Sequence, residues 1–170
     1  MLHDLTVIQF SKMLKNLSAI LNKAAIFAES RKIDVEVLLN SRLAPDQFDL
    51  IRQVQIACDT AKLGVARLAG KAESAPKHSD TETTLSELQE RIHSVLAYLE
   101  EFTPEDLANA ETVKVSQPRW EGKYLTGLEF AIQYAIPNLY FHVTTAYAIL
   151  RHNGVEIGKK DYLGPMPYKS

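Results

Sequence analysis

Apolar residues recur at alternating spacings of three and four in four separate stretches of the chain, which places them on one face of an α-helix each time. The first stretch, Val7, Phe10, Leu14, Leu17, Leu21, Ala24 and Ala28, predicts a helix over about residues 4–29 with Asp4 as its N-cap. Met13, Ile20 and Phe27 widen that stripe, as in a helix touching two neighbours. The second, Phe48, Ile51, Val54, Cys58, Ala61, Val65 and Leu68, starts near Pro45 or Asp46 and stops at Gly70. The third runs Leu85, Leu88, Ile92, Val95, Leu99 and Phe102, opened by the capping-box spacing of Thr84 and Glu87 and closed by Thr103-Pro104. The fourth spans Leu128 to Asn153, with Leu128, Ile132, Ala135, Leu139, His142, Ala146 and Ile149 on its seam. Six of those seven positions are apolar and one, near the middle, is a histidine.

The connections are unequal. Asp34 caps a short helix through Leu39; Lys71 to Asp80 has Ser74, Pro76, His78 and Ser79 without periodicity and reads as an exposed crossing loop, with His78 solvated. Pro104 to Ala108 suits one helical turn, and Glu111 to Leu125 suits a small hairpin that lays Trp120 and Tyr124 over one end of the bundle. Pro137 bends or locally opens the fourth helix. A second apolar patch on that helix, Phe130, Tyr134, Phe141 and Ala148, is covered by connecting segments or forms a partner surface. The tail from Gly158 to Ser170 reads as extended and partly docked through Tyr162, Leu163, Met166 and Tyr168. The expected architecture is therefore an all-α four-helix bundle forming a single domain over residues 1–170, with a small β hairpin between helices 3 and 4.

Composition narrows the functional classes. Basic and acidic residues, 19 and 21, are mixed along the chain and leave a net charge of -2, so no basic patch points to nucleic acid. No run approaches the roughly 18 apolar residues of a membrane span, and the N-terminus lacks the pattern of a secretory signal, which together give a cytoplasmic expectation. The single cysteine, Cys58, has no partner for an internal disulfide and no CxxC companion for zinc. Gly-rich phosphate loops, HExxH and GxSxG are absent, and no known catalytic machinery is indicated. The second apolar patch and the apolar tail predict a homodimer.

Cys58 and His142 are the two seam residues with reactive side chains, near the middle of helices 2 and 4. In one reading Cys58 is a small buried hydrophobe and His142 a neutral core histidine hydrogen-bonded to a tyrosine or Asp59. In the other they form a histidine-activated thiolate or a pair of metal ligands. Asp59, Gln55 and Lys62 flank the second seam and read as solvated, although a carboxylate beside a partly buried histidine could fix its tautomer. Glu87 is a capping residue, Arg151 and His152 complement a helix C-terminus, and His93 faces solvent. His3 lies free at the base of helix 1.

The run Ala146-Tyr147-Ala148-Ile149-Leu150-Arg151-His152-Asn153-Gly154-Val155, continued by Gly158-Lys159-Lys160-Asp161-Tyr162-Leu163-Gly164, resembles a bacterial family of unknown function placed in the DinB/YfiT-like superfamily. Further matches are Leu43-Ala44-Pro45-Asp46, Gln53-Val54, Ala57-Cys58-Asp59, Pro137-Asn138 and Tyr140-Phe141-His142, so the resemblance spans nearly the whole chain. It implies an up-down-down-up bundle whose second and third helices run parallel, and the loop at 71–82, about 12 residues at roughly 3.3 Å each, is long enough to cross it. Many superfamily members hold a divalent metal with three histidines, one on the second helix and two on the fourth four positions apart, and some use it in thiol transfer. Here position 146 is Ala, position 138 is Asn and the second helix has no histidine, so the triad does not carry over. The resemblance thus implies a degenerate, non-catalytic ligand-binding or interaction bundle without a cofactor, with His142, Cys58, Asp59 and Tyr147 as candidate ligand-binding residues. The alternative is a metal-dependent enzyme of the thiol-transferase kind, its divalent-metal site rebuilt around His142 with Asp59 or His3.

Overall fold

Four short polar side chains decide where helices begin. Asp34 accepts from the Glu36 N–H at 3.0 Å, Asp49 from Arg52 N–H at 2.9 Å, and Thr84 and Thr126 from the N–H groups of Glu87 and Glu129, each at 3.3 Å. Each bond satisfies a first-turn donor that the helix itself leaves unpaired. In the computed structural model, which describes residues 1–169, the helices are α1 (Gln9–Arg31), α2 (Val35–Leu39), α3 (Leu50–Leu68), α4 (Leu85–Glu100), α5 (Gly127–Phe130), α6 (Ile136–His152) and α7 (Lys159–Leu163). Strands β1 (Lys114–Val115) and β2 (Leu125–Thr126) pair antiparallel, Lys114 opposite Thr126, and make the hairpin expected between the third and fourth long helices.

Two boundaries differ from those read in the sequence. Asp49, rather than Pro45 or Asp46, caps α3, so Phe48 lies before the first turn and is 56% exposed under the Arg52 guanidinium. At the N-terminus a π-helical turn, Asp4–Ile8, precedes α1, and Asp4 lies within it instead of capping it. A second π-helical turn, Ala131–Ala135, joins α5 to α6 just ahead of Pro137. A π turn takes one residue more than an α turn and shifts the helical phase by that residue. The fourth seam accordingly holds from Ala135 through Leu139, His142, Ala146 and Ile149, all buried, but ahead of Ala135 the buried positions are Gly127 and Phe130 before the turn and Ala131 at its start. Ile132, assigned to the seam by unbroken periodicity, is 53% exposed. The tail is also more helical than expected, since α7 forms within it.

Side-chain contacts give the helix directions. Ser18 donates to Gln89 at 2.6 Å and His3 meets the Phe102 carbonyl at 3.1 Å, so α1 and α4 run antiparallel. Asn138 donates to Thr60 at 2.8 Å and His142 to Gln53 at 2.7 Å, so α3 and α6 do too. Arg91 meets Asp59 at 2.8 Å while Tyr98, further along α4, donates to the carbonyl of Lys71, just past the end of α3, at 3.5 Å; these two helices are parallel. The bundle is up-down-down-up, and the segment between α3 and α4 runs back along both as a strap.

One hydrophobic cluster fills the bundle, with every residue of the first seam buried. Gly64 in α3 lets Phe10 and Ala135 approach closely. Phe130 and Tyr134 stack with ring centroids 5.5 Å apart beneath Trp120, so the hairpin covers that half of the second apolar patch of the fourth helix, while Phe141 stays exposed. Trp120 thus lies as expected, whereas Tyr124 is exposed beside Lys114.

Candidate functional site

α3 and α6 pack antiparallel with the hairpin loop across one side, and a groove of about 390 Å³ opens where the three meet. Its walls include Ile56, Leu63 and Tyr134 as apolar surface and Asp59, Asn138 and His142 as polar groups. His142 is 8% exposed, and its Nδ1 donates to the Gln53 side-chain oxygen at 2.7 Å. Gln53 is oriented in turn by donating from its amide to the Phe48 carbonyl at 3.1 Å. With the Gln53 oxygen as acceptor the hydrogen sits on Nδ1 and Nε2 carries the lone pair, in a ring that lines the groove. Burial, and then the nearby Arg52 charge, lower the imidazole pKa to about 4, so the ring is neutral at physiological pH.

Asp59 lines the same groove, but its carboxylate is engaged on the far side by Arg91 and Lys62, each at 2.8 Å. The expectation that Asp59, Gln55 and Lys62 are solvated is therefore corrected: Gln55 and Lys62 are buried, and all three belong to a charged layer under the strap. Arg91 stands at its centre, with Asp80 at 2.6 Å and Glu82 at 3.0 Å from the strap, while Arg52 also reaches Asp80 and Gln55 donates to Glu82. Burial, which disfavours the Arg91 charge, is outweighed by Asp80, Asp59 and Glu82, so its pKa is raised. His78 is likewise not simply solvated, because it accepts from Lys62 Nζ at 2.7 Å and contacts Ser94. Burial and then the Lys62 charge lower its pKa.

The remaining candidates lie elsewhere. Cys58 is completely buried in the core, and burial pushes its thiol up to about 12. Tyr147 packs edge-on to Tyr162 of α7, with ring centroids 6.0 Å apart. His3 is held by the Phe102 carbonyl, where α1 begins and α4 ends, and does not line the groove. Among the described residues no three His, Cys, Asp or Glu side chains come together as a metal site, and Asn138 is committed to Thr60. Sequence reasoning missed the groove residues Arg67, Gln117 and Arg119, for which periodicity carries no signal, and Gln53, a polar residue buried one position off the α3 seam.

An up-down-down-up bundle with a short hairpin before its last long helix is the architecture of the DinB-like proteins. The chain belongs to the family described as Domain of unknown function (DUF1993), which matches residues 2–163. It is also similar to the crystal structure of a DinB family member from Shewanella denitrificans, with 74% identity and a TM-score of 0.97, covering 100% of this chain and 96% of that one. No curated protein matches it. No helix among the described residues is long and apolar enough to cross a membrane.

Proposed function

We propose that this protein is a single-domain DinB-like bundle that binds a small molecule in the His142 groove without catalysing a reaction on it. The observation that carries this reading is His142, a neutral ring held by Gln53 through Nδ1 and lining a groove of about 390 Å³. Such a ring accepts a hydrogen bond from a ligand hydroxyl or amide, while Ile56, Leu63 and Tyr134 take an apolar body. As a base with a pKa of about 4 it is poorly matched to proton transfer near neutrality. Cys58, its thiol at about 12, supplies no thiolate.

Phenol is a direct probe, because it combines one donor with one apolar ring. Titrated to about 20 mM against isotope-labelled protein, it should shift the amide signals of Asn138 and His142 saturably and lose that effect in His142→Phe. No saturable shift in the parent protein would sink the reading. The competing reading, a metal-dependent enzyme rebuilt around His142, draws on Asp59 lining the same groove. Metal analysis of untagged protein separates the two: we expect no stoichiometric metal, and bound Zn, Ni, Mn or Fe would overturn the non-catalytic proposal.

The buried free thiol fits a reducing, cytoplasmic setting. Exposed Ile132 and Phe141 on the outer side of the last long helix, together with Leu163, Met166 and Tyr168 in the tail, support a homodimer. Sedimentation at high micromolar concentration should give twice 19.1 kDa, and a monomer there would exclude the dimer.

A further inference from the structure

The His142 groove has a second polar region made almost entirely of donors. Arg67, in the last turn of α3, and Arg119, in the turn Pro118–Trp120 of the hairpin loop, both line it. The Arg119 guanidinium is seated over the Tyr134 ring at 5.4 Å, which places a planar fork against the groove wall. Neither arginine makes an ion pair among the described residues. Asp59, the carboxylate of the lining, is already neutralised by Arg91 and Lys62. Gln117, two residues before Arg119, lines the groove as well; it is only 9% exposed and its amide Nε2 is buried without an acceptor.

Two like charges sharing one groove are unfavourable unless a negative group joins them. Burial, and then the Arg119 charge, lower the pKa of Arg67, so the two guanidinium groups lie within electrostatic reach of each other. Guanidinium forks match the two oxygens of a carboxylate or phosphate in a bidentate contact. A buried donor without a partner costs more than one that is satisfied, so an acceptor in reach of Gln117 adds to the same preference. We infer that Arg67, Arg119 and Gln117 form an oxyanion site, binding the carboxylate or phosphate group of a small molecule whose apolar body lies against Leu63 and Tyr134. This rests on the groove being a ligand site, but it does not require the hydrogen bond to His142.

Benzoate and inorganic phosphate, titrated separately into isotope-labelled protein at low salt, test the inference. At least one should give saturable shifts at Arg67, Gln117 and Arg119; stronger binding by benzoate assigns a carboxylate and stronger binding by phosphate a phosphate. Arg67→Gln and Arg119→Gln should each weaken the response at least fivefold, while Arg67→Lys, which keeps the charge without the fork, weakens it less, and Arg151→Gln at the exposed end of α6 leaves it unchanged. Absence of saturable shifts with both anions, or an affinity equal to the parent's in either glutamine variant, overturns the oxyanion site. Phenol binding without anion binding overturns this inference alone and leaves the groove reading standing; anion binding that depends on the arginines without phenol binding supports it and removes the role of His142.

Discussion

His142 links the stability of the bundle to pH. Its ring is neutral in the fold, with a pKa of about 4 against the ordinary 6.5, so the unfolded chain takes up a proton first as the solution is acidified. The stabilisation is complete above about pH 6.5 and is lost as pH falls towards 4, on the order of 2 kcal/mol across that window. Denaturant titrations between pH 7.5 and 4.5 should show His142→Gln losing less stability on acidification than the parent, and parallel pH profiles would exclude this account. At pH 7.5, His142→Ala should cost roughly 2 to 3 kcal/mol, since it removes a buried ring and leaves the Gln53 oxygen unpaired. Cys58 should be inert to an alkylating reagent in the native protein at pH 8 and react on unfolding, because the buried thiol at about 12 carries almost no thiolate. His142 was legible in the sequence as a polar residue on an apolar seam. Its partner was not: a tyrosine or Asp59 was expected, and Gln53 occupies the place because the packing of α3 on α6, absent from any local pattern, decides which side chain reaches Nδ1.

At the scale of elements, the strap between α3 and α4 is held by charge as well as by apolar packing. Arg91 is 2% exposed and contacts three carboxylates, so Arg91→Ala leaves Asp59, Asp80 and Glu82 crowded together with only Arg52 and Lys62 as counter-charges. Removing one partner from a buried charged cluster costs about 3 kcal/mol or more. The variant should melt lower and be cut by trypsin at exposed Lys77 under conditions where the parent is not. The segment was legible as a crossing loop but not as an anchored one, because Arg91, beside the α4 seam, has the spacing of an ordinary flanking residue. The π turn at Ala131–Ala135 was equally silent, since unbroken three-and-four spacing can be continued through it and puts Ile132 on the wrong side. The capping box of Thr126 and Glu129, by contrast, carries the same signature as that of Thr84 and Glu87 and marks the true start of the last helical unit. Just inside it, a Cβ on Gly127 would collide with the Ala110 carbonyl oxygen. Gly127→Ala should therefore displace the hairpin and lower stability by about 2 kcal/mol, measurable as increased exposure of Trp120 to fluorescence quenchers.

For the whole molecule, four seams made the bundle legible and the family resemblance its topology, which the length of the second connection permits, while the docked tail was legible only in outline. α7 returns along α1: Asn16 donates to the Tyr162 carbonyl at 2.9 Å, Lys23 pairs with Asp161 at 2.7 Å, and Lys12 reaches Met166. Truncation after Ile157 should remove roughly 2 kcal/mol and lower the melting temperature by about 4 to 8 °C; an unchanged melting curve would mean that the tail contributes nothing. The same docking bears on how the protein is made. α1 leaves the ribosome before every element that covers it, and α7 is among the last to appear. At translation rates of roughly 5 to 20 residues per second, about 7 to 26 seconds separate the synthesis of Arg31 from that of Leu163. Throughout that interval the apolar face of α1 is without its final neighbours, which makes the nascent first helix the natural substrate for a chaperone at the tunnel exit.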